Sequence, residues 1–246
     1  MQGSSSPFGA QFKTRENIQG IFSRVAGYYD VMNDIMSFGL HREWKRAMIR
    51  WMAPTVGSRL LDVAGGTGDL SFRFLKQLDG DGIAVIADFT EDMLHAGQQR
   101  PENNFYEKSL SWVCADAMFL PFSDSGFDVV TIGFGLRNVT EVEKALEEMY
   151  RMLNPQGGRF LCLEFSKPDI LGWDRLYDLY SQRVIPQAGK KLFQEKDAYQ
   201  YLVESIRAFP NQEKLAAMIR DAGFKNVSYR NFCGGIAAIH SGWRLE

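Results

Sequence analysis

Asp62-Val63-Ala64-Gly65-Gly66-Thr67-Gly68-Asp69 follows directly on a short apolar run, Arg59-Leu60-Leu61, and its reading decides the fold. Three glycines fall within four residues, where a buried strand hands over to a helix. Gly66 and Gly68 let the backbone turn sharply there and let a ligand approach it closely. The dinucleotide fingerprint Gly-x-Gly-x-x-Gly would take its first two glycines from Gly66 and Gly68, but Ser71 stands in the third place. Asp62, at the strand tip, separates the remaining ligands. A pyrophosphate is repelled by a carboxylate held near it in a partly buried site. The methionine end of S-adenosyl-L-methionine carries an ammonium and a sulfonium, for which an acid is attractive. The turn is therefore expected to hold that methyl donor through Asp62, Gly66 and Gly68.

Outward from the turn, short apolar runs recur at 59–63, 82–87, Leu110–Cys114, 127–133 and 159–165, each too short for a helix. The intervals, notably 70–78 and 91–99, read as helices. Buried strands alternating with helices imply an α/β fold with a doubly wound, mostly parallel sheet. Ahead of it, residues 15–36 carry Ile18, Ile21, Phe22 and Val25 at helical spacing, and 42–52 follow, closed by Pro54 and Gly57. Thr140-Glu141-Val142-Glu143 reads as a capping box heading a helix to Leu153, which Asn154-Pro155-Gln156-Gly157-Gly158 ends. Beyond Phe165, residues 171–184 and 198–209 read as aromatic-rich helices separated by Pro186 and Gly189. Asn211 caps a further helix ending at Gly223, and 225–233 with 236–243 form a closing hairpin around Gly234-Gly235. The expected architecture is a seven-stranded Rossmann-like sheet with N-terminal helices and a helical cap insertion.

Ligands of such sheets bind outside the carboxyl ends of the strands. Asp88 closes the second run, 20 residues after Gly68, where its carboxylate can accept from both ribose hydroxyls. Asp116, after the third run, adds an acceptor where an adenine amino group would lie, with Ala117 beside it. A loop cap is its plainer reading. The fourth run delivers Phe134-Gly135-Leu136-Arg137-Asn138-Val139-Thr140 to the same edge. Arg137 and Asn138 are thus expected beside the crevice, the plainer reading being a surface arginine paired with an acid.

Composition narrows the class. Of 246 residues, 45% are hydrophobic and 24% charged, which is ordinary for a globular chain. A net charge of −2 gives no basic stripe for nucleic acid. Cys114, Cys162 and Cys233 are odd in number and far apart, so a reducing compartment is expected rather than a disulfide framework. His41, His95 and His240 show no metal-ligand spacing, and no metal is expected. The apolar stretches fall short of the roughly 20 residues that span a bilayer. Residues 1–10, rich in Ser and Gly, read as a flexible tail, and 11–246 as a single domain.

With these residues in view, the chain resembles the ubiquinone/menaquinone biosynthesis C-methyltransferases from Phe22 to Trp243. The resemblance is carried by Tyr29-Asp30-Val31-Met32-Asn33-Asp34, the glycine turn, Ala115-Asp116-Ala117, Gly133 through Thr140, and Leu163-Glu164-Phe165-Ser166-Lys167-Pro168. Tyr201-Leu202-Val203-Glu204-Ser205-Ile206-Arg207 and Ala238-Ile239-His240-Ser241-Gly242-Trp243 complete it. It implies methylation of a ring carbon on a polyprenylated benzoquinol or naphthoquinol. It places Thr67, Asp88, Asp116 and Ala117 on the donor, with Gly133 where family members can carry serine. Phe89 and Thr90 replace the more usual Ile-Asn after Asp88.

A quinol has the ring electron density that such a transfer demands, and ionising the hydroxyl ortho to the reacting carbon raises it. Arg137 stays protonated, so its expected work is to stabilise the developing phenolate, with Asn138 orienting the oxygen or a water. Tyr29 would hold the ring or relay the proton. The aromatic region 171–209 would cover the site and receive the isoprenoid tail, plain core being its rival reading. A greasy tail entering from the bilayer implies a cytoplasmic protein in peripheral contact with the cytoplasmic face of the inner membrane. A homodimer or a place in a biosynthetic complex stays open. So do two other functions: transfer to another small or lipid acceptor, and a non-catalytic cofactor-binding subunit.

Overall fold

The computed structural model describes residues 14–28, 31, 33, 34, 37–167 and 196–246. Their strands are β1 (Arg59–Val63), β2 (Ile83–Asp88), β3 (Leu110–Cys114), β4 (Val129–Gly133), β5 (Gln156–Phe165), β6 (Lys225–Phe232) and β7 (Ala237–Leu245). They form one sheet in the order β3-β2-β1-β4-β5-β7-β6. The strands from β3 across to β5 pair in parallel, and β7 runs antiparallel between β5 and β6. The chain leaves β1 for β2 and β3 on one side, then returns to β4 and β5 on the other. The order therefore reverses between β1 and β4, where an open α/β sheet binds its ligand.

Period-two alternation sorts the core into two faces. Leu60, Val129, Leu161 and Leu163 join one cluster with Ile18 of α1 (Arg15–Val25), Trp44 and Met48 of α2 (Leu40–Met52) and Phe74 of α3 (Asp69–Gln77). Leu61, Val63, Val130, Ile132 and Phe160 join the other. Helices α4 (Glu91–Gln98) and α5 (Pro101–Tyr106) lie between β2 and β3 in the chain, and α6 (Val142–Met152) between β4 and β5. Val142, Ala145, Leu146, Met149 and Met152 of α6 are buried at spacings of three and four, one apolar stripe on the second face. α7 (Lys196–Ala208) lays Tyr201, Leu202 and Ile206 on the first face, and α8 (Gln212–Asp221) lays Leu215 and Ile219 on the second.

Several local expectations are corrected. The helix expected over 15–36 stops at Val25 and tightens into a 3-10 turn at Ala26–Tyr28, where Gly27 is a poor helix former. The strand expected from Phe127 starts at Val129, because Phe127 makes only an isolated bridge to Leu153. The capping box does not form. Glu141 stands at the N-cap of α6 without a side-chain bond, and the Thr140 hydroxyl donates to the Met118 sulfur at 3.3 Å. The loop after β3 supplies that sulfur and so takes the group the cap needs. Asn211 does cap α8, accepting from the Lys214 amide at 3.0 Å. The expected tail at 1–10 and helix at 171–184 lie outside the described residues.

Candidate active site

β1 ends at Val63, and the chain turns through Gly66 (φ +55°) and Gly68 (φ +80°) before Asp69 opens α3. A Cβ on Gly66 would lie 2.9 Å from Met93 Cε, and one on Gly68 2.8 Å from Ile86 Cδ1 and 2.9 Å from Trp112. Left-handed backbone and missing space thus both demand glycine at these two positions.

The turn floors a crevice at the reversal point of the sheet. Asp62, Gly66 and Thr67 line it from below, and Asp88 lines it from the end of β2. Asp116 and Ala117 line it from the loop after β3, Gly133 and Asn138 from β4 and the loop beyond. Gly68 and Arg137 are not among its lining residues, and Tyr29 lies outside the described residues. Gly68 instead supports the floor from behind, packed against Ile86 and Trp112.

The acids are held by the protein's own hydrogen-bond donors. Asp62 is fully buried, its Oδ1 accepting from Thr131 Oγ1 at 2.7 Å and its Oδ2 from Ser71 Oγ at 3.0 Å. Ser71, the residue that spoils the dinucleotide fingerprint, is therefore one of the two that hold Asp62. Asp88 accepts from the Gly66 amide at 2.9 Å and the Thr90 amide at 2.8 Å, which ties the turn to the end of β2. Burial pushes both carboxyls up to about 6 against those hydrogen bonds. Each carboxylate retains lone pairs beyond these contacts. Asp116 does cap its own loop, accepting from the Met118 amide at 2.9 Å, and lines the crevice as well. At Gly133 a Cβ would meet Leu70 Cδ1 at 2.7 Å, so Leu70 occupies the space a serine would use.

Beyond β4 the backbone enters the left-handed region at Phe134 (φ +57°), whose ring packs on Phe165 with centroids 4.7 Å apart. Arg137 then turns inward, correcting the expectation that it opens on the crevice. Its Nη1 donates to the Phe134 carbonyl and, at 2.8 Å, to Glu164 Oε1, with side chains only 4% and 2% exposed. β4 and β5 run in parallel register with Gly133 beside Leu163, which delivers Glu164 to the loop. Burial pushes the Glu164 carboxyl up, and the Arg137 charge pulls it back. Asn138 keeps its place in the crevice. Its Oδ1 accepts from the Tyr201 hydroxyl at 3.0 Å, and its Nδ2 donates to the Phe134 carbonyl at 3.5 Å. Burial lifts Tyr201 to about 12, so that hydroxyl stays protonated and donates.

Sequence reasoning missed four residues of this site: Lys45, Asp69, Glu164 and Tyr201. Glu164 and Tyr201 lay inside motifs already singled out, and Asp69 closed the glycine turn. Lys45 carried a fainter signal. It falls on the buried stripe of α2 with His41, Met48 and Met52, an unusual place for a lysine.

Comparison with known proteins adds a second, independent line. The model of the ubiE/COQ5 methyltransferase family matches residues 10–244. A relative from Dinoroseobacter shibae, named ubiquinone/menaquinone biosynthesis C-methyltransferase UbiE, is 57% identical over 228 residues, covering 93% of this chain and 90% of the relative. A relative of the same name from Paracoccus denitrificans is 54% identical over the same shares. Among solved structures, a SAM-dependent methyltransferase from Thermotoga maritima superposes with a TM-score of 0.65 at 18% identity, covering 92% of this chain and 99% of that one. A phosphoethanolamine N-methyltransferase from Haemonchus contortus, solved with S-adenosyl-L-methionine, gives 0.59 at 14% identity, covering 99% and 61%. At these identities the two structures speak for the fold.

Proposed function

The chain belongs to the ubiE/COQ5 methyltransferase family, and from that footing we propose how its crevice carries out the reaction. It is an S-adenosyl-L-methionine-dependent C-methyltransferase of quinone biosynthesis. The donor supplies a methyl group on a positively charged sulfur. The residues present suit it: Asp62 for its ammonium, Asp88 for its two ribose hydroxyls, and Asp116 with Ala117 at the adenine edge. Phe89 and Met93 add apolar surface to the same crevice for a planar base. Thr67 and Gly133 complete the wall around it.

The acceptor we propose is the ring carbon of a polyprenylated benzoquinol or naphthoquinol. That carbon reacts when the neighbouring hydroxyl ionises, so the site must favour a phenolate. Asn138 is placed for this work. With Oδ1 taken by Tyr201 and one N–H facing the Phe134 carbonyl, its second N–H remains for the ring oxygen or a bridging water. Arg137 serves as a positioning residue, its guanidinium bracing the loop that carries Asn138 against Glu164. Tyr29 holds the ring or relays its proton, a role that rests on the resemblance alone.

The observation that carries this reading is the meeting of Asp62, Asp88, Asp116 and Asn138, from four separate strand ends, in one crevice. Purified protein given isotope-labelled donor and short-tail demethylated quinols should place the label on a ring carbon, as read by mass spectrometry. Label on a ring oxygen, or turnover confined to acceptors other than quinols, would overturn it.

A further inference from the structure

The crevice is short of positive charge. Asp62, Asp69, Asp88 and Asp116 all line it, and among the described residues Lys45 is the only cation that does. The amino-acid end of the donor is a zwitterion. Its ammonium suits such a place, but its carboxylate does not. Like charges repel strongly in a partly buried site, where water screens them less than in bulk. A carboxylate among these acids gains most beside a cation.

Lys45 reaches the turn from α2, 24 residues earlier in the chain than its partner Asp69. Its Nζ donates to Asp69 Oδ2 at 2.8 Å, with the two side chains 7% and 15% exposed. An ammonium has three N–H donors, and Asp69 takes one of them. Asp69 is itself doubly held, accepting at Oδ1 from Arg73 Nε at 3.0 Å. Burial works to raise its carboxyl, yet Lys45 and Arg73 hold it far below the usual carboxylate range. It also sits in the first turn of α3, where the helix dipole favours an anion. Asp69 therefore stays compensated when a second carboxylate draws on Lys45.

We propose that Lys45 binds the carboxylate of the donor's amino-acid end, using the N–H donors that Asp69 leaves to it. Asp62 and Lys45 then read the two ends of one zwitterion, and Asp69 fixes the lysine at the right height. The proposal rests on the donor assignment and is independent of the acceptor. The rival is a structural clasp that merely joins α2 to α3.

Ligands with and without the carboxylate separate the two by calorimetry on the full chain. The parent protein should bind S-adenosylhomocysteine about 10–100-fold tighter than its decarboxylated analogue, the scale for a hydrogen bond between charged groups. Lys45→Met should remove that preference, weakening S-adenosylhomocysteine by about the same factor and the analogue by less than about threefold. Lys45→Arg should keep part of it, since the charge survives without the compact ammonium. If Lys45→Met does not fold, Lys45→Gln keeps a donor for Asp69 and carries the same comparison. A parent protein indifferent to the carboxylate, or variants that lose both ligands equally, would leave only the clasp.

Discussion

Asp88 has two duties that one substitution separates poorly, because it both faces the crevice and anchors the Gly66 amide. Asp88→Ala should weaken donor binding by roughly 1.5–3 kcal/mol, the range for charge-assisted hydrogen bonds. Calorimetry showing unchanged affinity would remove Asp88 from the donor site. Acidity offers a gentler probe. Burial lifts Asp62 and Asp88 from 3.8 to about 6. Between those values the folded protein keeps protons that the unfolded chain has released. These two acids therefore lower stability as pH rises through that window, and add no further change above it. Binding has the opposite sign. Ammonium and hydroxyl partners favour ionised carboxylates, so donor affinity should climb as pH rises through about 6 and level off above, with protons released on binding below that plateau. A flat affinity over the same range would mean that neither acid meets the ligand.

At the level of elements, the loop after β4 depends on a pair it cannot form locally. Arg137 and Glu164 lie 27 residues apart and meet only because β4 and β5 are neighbours. Arg137→Ala would strand a buried carboxylate and should cost about 3–5 kcal/mol, whereas Arg137→Met with Glu164→Leu should restore the melting temperature. If Arg137 acts by bracing the loop, the double variant should also recover turnover to within about tenfold of the parent. A folded double variant still about 10²–10³-fold slower would put the guanidinium on the reacting oxygen instead. The same geometry explains what could be read in advance. The strands, the glycine turn and the places of Asp62, Asp88 and Asp116 in the crevice were legible because each follows from a short, contiguous pattern. Lys45 with Asp69, and Tyr201 with Asn138, were not, since their partners come from distant elements. Thr140 misled for the same reason: its sequence context is that of a cap, but the sulfur that displaces the cap arrives from 22 residues away.

The acceptor proposed above is a lipid, which the whole molecule would have to meet. Among the described residues no helix is long and apolar enough to cross a membrane. A polyprenyl quinol nonetheless partitions into bilayers, so flotation with liposomes should show weak, reversible association that increases when the quinol is present. Indifference to both liposomes and tail would point to a water-borne acceptor. The order of the sheet has a further consequence, for a chain still on the ribosome. Among the described residues β6 has β7 as its sole neighbour in the sheet, and β7 also covers the edge of β5. Since β6 is translated before β7, two open edges wait for one strand that has yet to be made. A stalled or truncated product ending near Ile236 would carry both edges exposed, with Lys225 and Arg230 on β6 as charges that discourage pairing between copies. Such nascent chains should fall to chaperones and proteases, while the parallel half of the sheet, from β3 to β5, is already complete in sequence.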